Sequence, residues 1–62
     1  MPKLSKDGVA VLALMAARPL FDPPPLVESV CEDLVLDGLA YRRRGEFHPT
    51  LLGRRALEAY GM

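Results

Sequence analysis

Five arginines are the residues of this chain whose type and spacing best suit a chemical task. Arg42, Arg43 and Arg44 are consecutive, and Arg54 and Arg55 lie further along. Guanidinium groups bind phosphate oxygens through paired hydrogen bonds, so this group of residues is typical of contacts to a nucleic-acid backbone. The same arginines could instead form a solvated basic surface that prevents edge-to-edge pairing of strands. Both interpretations remain open from these residues alone.

No set of residues predicts catalysis, a cofactor or a metal site. The chain has one histidine, His48, and one cysteine, Cys31. A metal site needs several such ligands, and a reactive thiol needs a partly exposed, electropositive setting. We therefore expect a protein that is not an enzyme, with His48 on the surface and Cys31 in the core. A single cysteine also excludes an internal disulfide and fits a reducing cytoplasm.

The charges cancel over the whole chain but are unevenly distributed. Residues 1–38 carry three basic and six acidic residues, whereas residues 39–62 carry five basic and two acidic ones. This asymmetry favours an anionic partner at the C-terminal half. A chain of 62 residues, half of them hydrophobic, is expected to form one small domain over residues 1–62. No apolar run reaches the ~20 residues of a membrane span and no signal peptide is apparent, so we expect a cytoplasmic protein.

Capping signals and hydrophobic periodicity predict three helices. Ser5 is a suitable N-cap for a helix over roughly 6–17, and Thr50 is one for a helix over 51–60. Pro25 suits the first position of a middle helix over about 25–37, which Gly38 should end in the left-handed conformation. The predicted core face of this helix consists of Leu26, Val27, Val30, Cys31, Leu34 and Val35.

Residues 9–17 in the first predicted helix contain no polar side chain. A helix that is apolar all round is normally buried on more than one side, which a small monomer cannot achieve. One face is expected in the core. The other face is either an interface or a surface dominated by alanine, a residue that needs no explanation beyond its helix propensity. We predict a homodimer through this helix.

The segment 19–25 contains four prolines and should be extended and stiff. It is either a polyproline ligand for an aromatic groove or a rigid connector between two helices, and the connector is the simpler interpretation. Leu20 and Phe21 are expected to reach the core from it.

A short basic hairpin is predicted between the second and third helices. Residues 39–43 and 46–49 flank Arg44-Gly45, a plausible two-residue turn. Tyr41 and Phe47 are expected to pack inward. The strands therefore form a two-stranded β-wing that carries the arginines.

Residues 38–44 resemble the end of the recognition helix and the first wing strand of MarR- and PadR-type winged-helix regulators. Residues 47–53, with Leu57 beyond, resemble their second wing strand and following helix. Pro49 replaces the leucine expected there, so the strand should end at that point. The resemblance implies an α+β, mainly helical fold, a minimal winged helix with a proline-rich connector and a short C-terminal helix. The helix that normally precedes the recognition helix is missing or reduced to a turn.

The resemblance implies a bacterial or phage transcriptional regulator that binds double-stranded DNA through the wing arginines. The outward face of the middle helix argues against this, because carboxylates oppose the electrostatic attraction that dominates DNA affinity. A competing hypothesis is a protein-interaction module, an adaptor or inhibitor without DNA binding. Its partner would meet the first helix or the acidic face of the middle helix, which consists of Glu28, Glu32, Asp33 and Asp37. We favour DNA binding.

Overall fold

The described part of the chain, residues 4–60 of a computed structural model, is a mostly helical α+β domain. Three helices and three strands follow one another in these residues, and the strands form one antiparallel sheet in the order β1-β3-β2. This confirms the predicted α+β class. The elements are α1 (Lys6–Ala17), β1 (Leu20–Phe21), α2 (Pro25–Leu36), β2 (Ala40–Arg43), β3 (Glu46–Pro49) and α3 (Leu51–Ala59).

Helix α1 begins and ends where its local sequence requires. The Ser5 hydroxyl accepts a hydrogen bond from the Gly8 N–H at 3.0 Å, as predicted for its N-cap. At the other end, Arg18 is extended because the residue before a proline avoids the helical region. Leu12 and Met15 of α1 are buried in the core, while Leu14 is exposed on the opposite side.

Helix α2 starts with Pro25 at its first position and ends in a Schellman cap, both as predicted. Gly38 has φ +78°, and its N–H donates to the Val35 carbonyl at 3.0 Å. The Leu39 N–H donates to the Leu34 carbonyl at 2.9 Å, and the Leu39 side chain is buried. The cap turns the chain directly from α2 into β2.

The buried strip of α2 is narrower than predicted. Cys31 and Leu34 are buried, and Val27 and Val30 pack partly against the core. The assignment of Leu26 and Val35 to the core face was wrong, because both are exposed. Helix α2 packs mainly against α1 and β2, so side chains at the edges of its apolar half have no element to cover them.

The basic hairpin forms at the predicted turn. Arg44 and Gly45 have φ values of +52° and +80°, as a type I′ turn requires at both central positions. Arg43 pairs with Glu46 beside the turn, and Ala40 pairs with Pro49 at the open end, where β3 stops as expected. The three residues Arg43, Arg44 and Gly45 are called the hairpin tip below.

The predicted two-stranded wing forms as β2 and β3, but the sheet has a third strand that was not predicted. Leu20 and Phe21 form β1, which pairs with β3 on the side away from β2. No helix lies between α1 and α2, in agreement with the predicted absence of a second helix from this stretch. A two-residue strand is too short to produce an alternating pattern, and the nearby prolines conceal it further.

The two faces of the sheet have different environments. Phe47 is buried, as predicted, and Leu20 opposite it packs partly against the core. The expectation that Phe21 and Tyr41 pack inward was wrong, since they are 70% and 43% exposed. Successive side chains of a strand point to opposite faces, so Tyr41 must point outward once Ala40 is buried.

Thr50 and Gly53 attach α3 to the start of the hairpin. The Thr50 hydroxyl donates to the Gly38 carbonyl at 2.7 Å and accepts from the Gly53 N–H at 3.0 Å, which confirms the predicted N-cap. The Thr50 N–H donates to the Leu39 carbonyl at 3.1 Å. A Cβ atom on Gly53 would overlap that same carbonyl oxygen. The absence of a side chain at Gly53 is therefore what allows this approach.

Gly53→Ala should lower the free energy of unfolding by about 3 kcal/mol or more, because a backbone oxygen cannot move aside as a flexible side chain can. In an ordinary helix interior the same change would stabilise the protein by about 1 kcal/mol. Gly38→Ala is the matched control: its Cβ meets nothing within 4 Å, so only the left-handed backbone costs about 1–2 kcal/mol. Urea unfolding followed by circular dichroism measures both. Equal losses would contradict the packing argument.

Candidate nucleic-acid interface

Arg42 is engaged by the fold itself. Its Nη2 lies 3.2 Å from Oε2 of Glu28 on α2, and its Cζ lies 4.7 Å from the centre of the Phe47 ring. The side chain is 51% exposed, so solvent screens the ion pair and keeps its contribution small. The guanidinium group nevertheless has its charge partner and its stacking partner within the molecule. Arg42 ties the hairpin to α2.

Arg43 and Arg44 are exposed at the hairpin tip. Across residues 4–60, neither side chain forms a hydrogen bond or an ion pair. Arg43 lies opposite Glu46, whose carboxylate instead lies 3.3 Å from Nε2 of His48. Both guanidinium groups are therefore free to bind an external anion.

Arg54 and Arg55 lie in the first half of α3 and are exposed. Helix α3 begins at the open end of the hairpin, one strand length from the tip, which is roughly 10 Å at ~3.3 Å per residue. Arg55 also borders a small apolar pocket of about 170 Å³ beside Leu39 and Tyr60. The structure thus divides the five predicted arginines into three groups: Arg42 against α2, Arg43 and Arg44 at the tip, and Arg54 and Arg55 on α3.

The outward face of α2 is acidic and partly apolar. Helix α2 contains no basic residue, and Glu32 and Asp33 are exposed, as is Asp37 at its C-cap. Leu26 and Leu36 on the same helix are 85% and 84% exposed. Of the four predicted acidic residues, Glu28 differs from the others because it binds Arg42.

The outward sheet face, defined here as Phe21, Tyr41, Arg43, Glu46 and His48, was missed as a site by sequence reasoning. The rings of Tyr41 and His48 are stacked, with centroids 5.1 Å apart and an interplanar angle of 12°. His48, predicted as a surface residue of the hairpin, lies on this outward face and is partly buried. Alternation along β2 was the available signal, because a buried Ala40 implies that Tyr41 and Arg43 share the other face. Nothing in the sequence indicated that Phe21 belongs to this face.

Cys31 is fully buried in the core cluster, in agreement with its prediction as a small hydrophobic residue. Burial raises the pKa of its thiol above the ordinary value of 9.0, and the nearby Glu28 carboxylate raises the pKa further. A raised thiol pKa is the opposite of what a nucleophilic cysteine needs.

In residues 4–60, no three His, Cys, Asp or Glu side chains are grouped so as to hold a metal ion. Over the same residues, every helix is too short or too polar to cross a membrane.

Comparison of the chain with protein-family models, with curated proteins and with solved structures gives no match.

Arg42→Ala should lower the free energy of unfolding by about 1 kcal/mol, the combined size of an exposed ion pair and an exposed cation–π contact. Arg43→Ala is the matched control, since its side chain has no partner and its removal should change stability by less than about 0.5 kcal/mol. Chemical denaturation of both variants at low and high salt gives the comparison, and salt should reduce the effect of Arg42→Ala. Equal stability of the two variants would show that the Glu28 and Phe47 contacts contribute nothing.

Proposed function

We propose that this protein is a small DNA-binding regulator of winged-helix type that contacts double-stranded DNA through its hairpin tip. The order helix, short strand, helix, basic hairpin, helix supports the winged-helix assignment, as does the resemblance to MarR- and PadR-type regulators. The observation that carries the DNA-binding proposal is the pair Arg43 and Arg44, exposed and without an internal partner at one end of the sheet.

The tip suits the DNA backbone in position and in charge. Strand β1 lies beside β3 as far as Glu46, so Arg44 and Gly45 project from the end of a three-stranded sheet. The type I′ turn fixes Arg44 at its end, and arginine forms paired hydrogen bonds with phosphate oxygens. Arg54 and Arg55 are proposed as additional backbone contacts, whereas Arg42 acts indirectly by fixing the hairpin against α2.

In this proposal α2 does not lie in the groove as a recognition helix does. Its outward carboxylates would be repelled by the phosphates, and no basic residue of α2 offsets them. Binding through the tip alone positions the protein on the backbone with little reading of bases. We therefore expect weak sequence preference and a strong dependence on salt.

A protein-interaction module is the second candidate, favoured by Leu26 and Leu36. Single exposed leucines are common on protein surfaces. Helix α2 carries two such leucines, both more than four-fifths exposed, and Glu32 and Asp33 lie between them. This surface suits a partner helix with basic and apolar side chains. This adaptor or inhibitor would use α2 and leave the tip arginines solvated.

We further propose that the protein is a cytoplasmic homodimer. The outward face of α1 carries Ala10, Leu14 and Ala17, all exposed, and the predicted homodimer would cover them. A DNA-binding role is consistent with the predicted cytoplasmic location, and so is a single buried thiol.

The double variant Arg43→Ala/Arg44→Ala should bind duplex DNA more weakly and with a shallower salt dependence. For every phosphate that the variant no longer neutralises, the slope of log K against log salt becomes shallower by about 0.9. The double variant Lys6→Ala/Arg18→Ala is the matched control, because it removes the same charge from exposed positions on α1 and at its C-cap. Fluorescence anisotropy with a labelled duplex, at several salt concentrations, measures all three proteins.

The control should retain the wild-type slope, whereas the tip variant should not. Identical slopes for both variants would mean that net charge alone governs binding and that the tip makes no specific contact. Absence of duplex binding by the wild-type protein at low salt would leave the interaction module as the better account. Circular dichroism of each variant verifies that the fold is intact.

A further inference from the structure

The outward sheet face exposes aromatic rings beside unpaired arginines. Phe21, Glu46 and Arg43 are paired across the three strands, so their side chains lie side by side in one row. Tyr41 and His48 form the next row of the same face. Rows on one face repeat every two residues, roughly 7 Å apart. This face is distinct from the acidic face of α2 and ends at the hairpin tip.

Neither ring has a role in the core that explains its position. The Phe21 side chain leans over the turn, within about 3.3 Å of where a Cβ on Gly45 would lie, and is 70% exposed. His48 stacks on one face of the Tyr41 ring, and Tyr41 remains 43% exposed. In residues 4–60 the Tyr41 hydroxyl has no hydrogen-bond partner. Exposed, oriented aromatic rings next to cationic groups are what an unpaired nucleobase with its phosphates requires.

The rings are spaced for separate bases. Phe21 on β1 and Tyr41 on β2 are two strands apart, roughly 10 Å across the sheet, and offset by one row. One base cannot cover both rings. Glu46 lies between Phe21 and Arg43, so a phosphate backbone should avoid the centre of the face and pass beside the tip arginines.

We propose that this face binds single-stranded DNA, with one unpaired base stacked on Phe21, another on Tyr41, and Arg43 and Arg44 on the flanking phosphates. The choice of DNA rests on the proposed function, in which the same two arginines contact the duplex backbone. The ligand class is new, because stacking requires bases that are not paired in a double helix. A protein bound to duplex DNA through its tip could then bind an adjacent DNA strand once the base pairs of that region are separated.

The test compares three labelled ligands of about ten nucleotides: a mixed-sequence single strand, a strand of the same length with abasic sites, and a duplex. The abasic strand keeps the phosphates but offers no rings, so it separates stacking from charge. The wild-type protein should bind the complete single strand about a hundredfold more tightly than the abasic one, because the abasic strand loses both stacked bases. Phe21→Ala and Tyr41→Ala should each weaken binding of the complete strand about tenfold and leave the abasic strand and the duplex within about twofold.

Two further variants make the result specific to the rings. Tyr41→Phe keeps the ring and should retain single-strand affinity. Leu26→Ala removes an apolar side chain from α2 that is more exposed than either ring, and it should have no effect on any ligand. Circular dichroism of each variant verifies the fold.

The outcomes separate this inference from the proposed function. If the protein binds the duplex but its single-strand binding does not depend on the rings, the inference alone is overturned. If it binds the single strand through the rings but does not bind the duplex, the duplex proposal alone is overturned. Equal affinity of wild type and Phe21→Ala for the single strand would contradict the inference. Tighter binding of an RNA strand of the same sequence would also contradict it. So would a protein that binds neither single strand and instead contacts a protein partner through Phe21.

Discussion

The hydroxyl group of Thr50 holds the end of α2, the base of the hairpin and the start of α3 at one point. It donates to the Gly38 carbonyl and accepts from the Gly53 N–H, while the Thr50 backbone N–H binds the Leu39 carbonyl. The close approach requires a residue without a side chain at position 53. The direction in which the hairpin leaves the domain depends on this junction, and so does the position of every hairpin arginine.

The second fixed point of the hairpin lies on its inner side. Arg42 binds Glu28 and stacks over Phe47, so one arginine of the triplet is used to orient the other two. Because Arg42 is paired within the molecule, its charge is not available to bind a ligand. What remains is a positive tip at one place and an acidic helix face at another. An anionic ligand approaching this molecule is therefore attracted to the tip and repelled from α2.

Features set by neighbouring residues could be predicted from the sequence. The caps at Ser5 and Thr50, the left-handed stop at Gly38 and the turn at Arg44-Gly45 each depend on a few adjacent side chains and on backbone sterics. Features that depend on distant parts of the chain could not. Strand β1 exists because β3 offers it an edge, and Leu26 is exposed because no element reaches it. The partnership of Arg42 with Glu28 likewise joins residues from separate elements, and no sequence pattern indicated it.

A heteronuclear NMR titration of the ¹⁵N-labelled protein with a short DNA duplex tests the central claim most directly. The account predicts that the largest amide shift changes occur at residues 43–46, with smaller ones at the start of α3 and almost none along the outward face of α2. Changes concentrated between residues 26 and 36 would place the DNA on α2 and contradict the account. The same conclusion would follow if the hairpin-tip amides did not respond while another part of the molecule did.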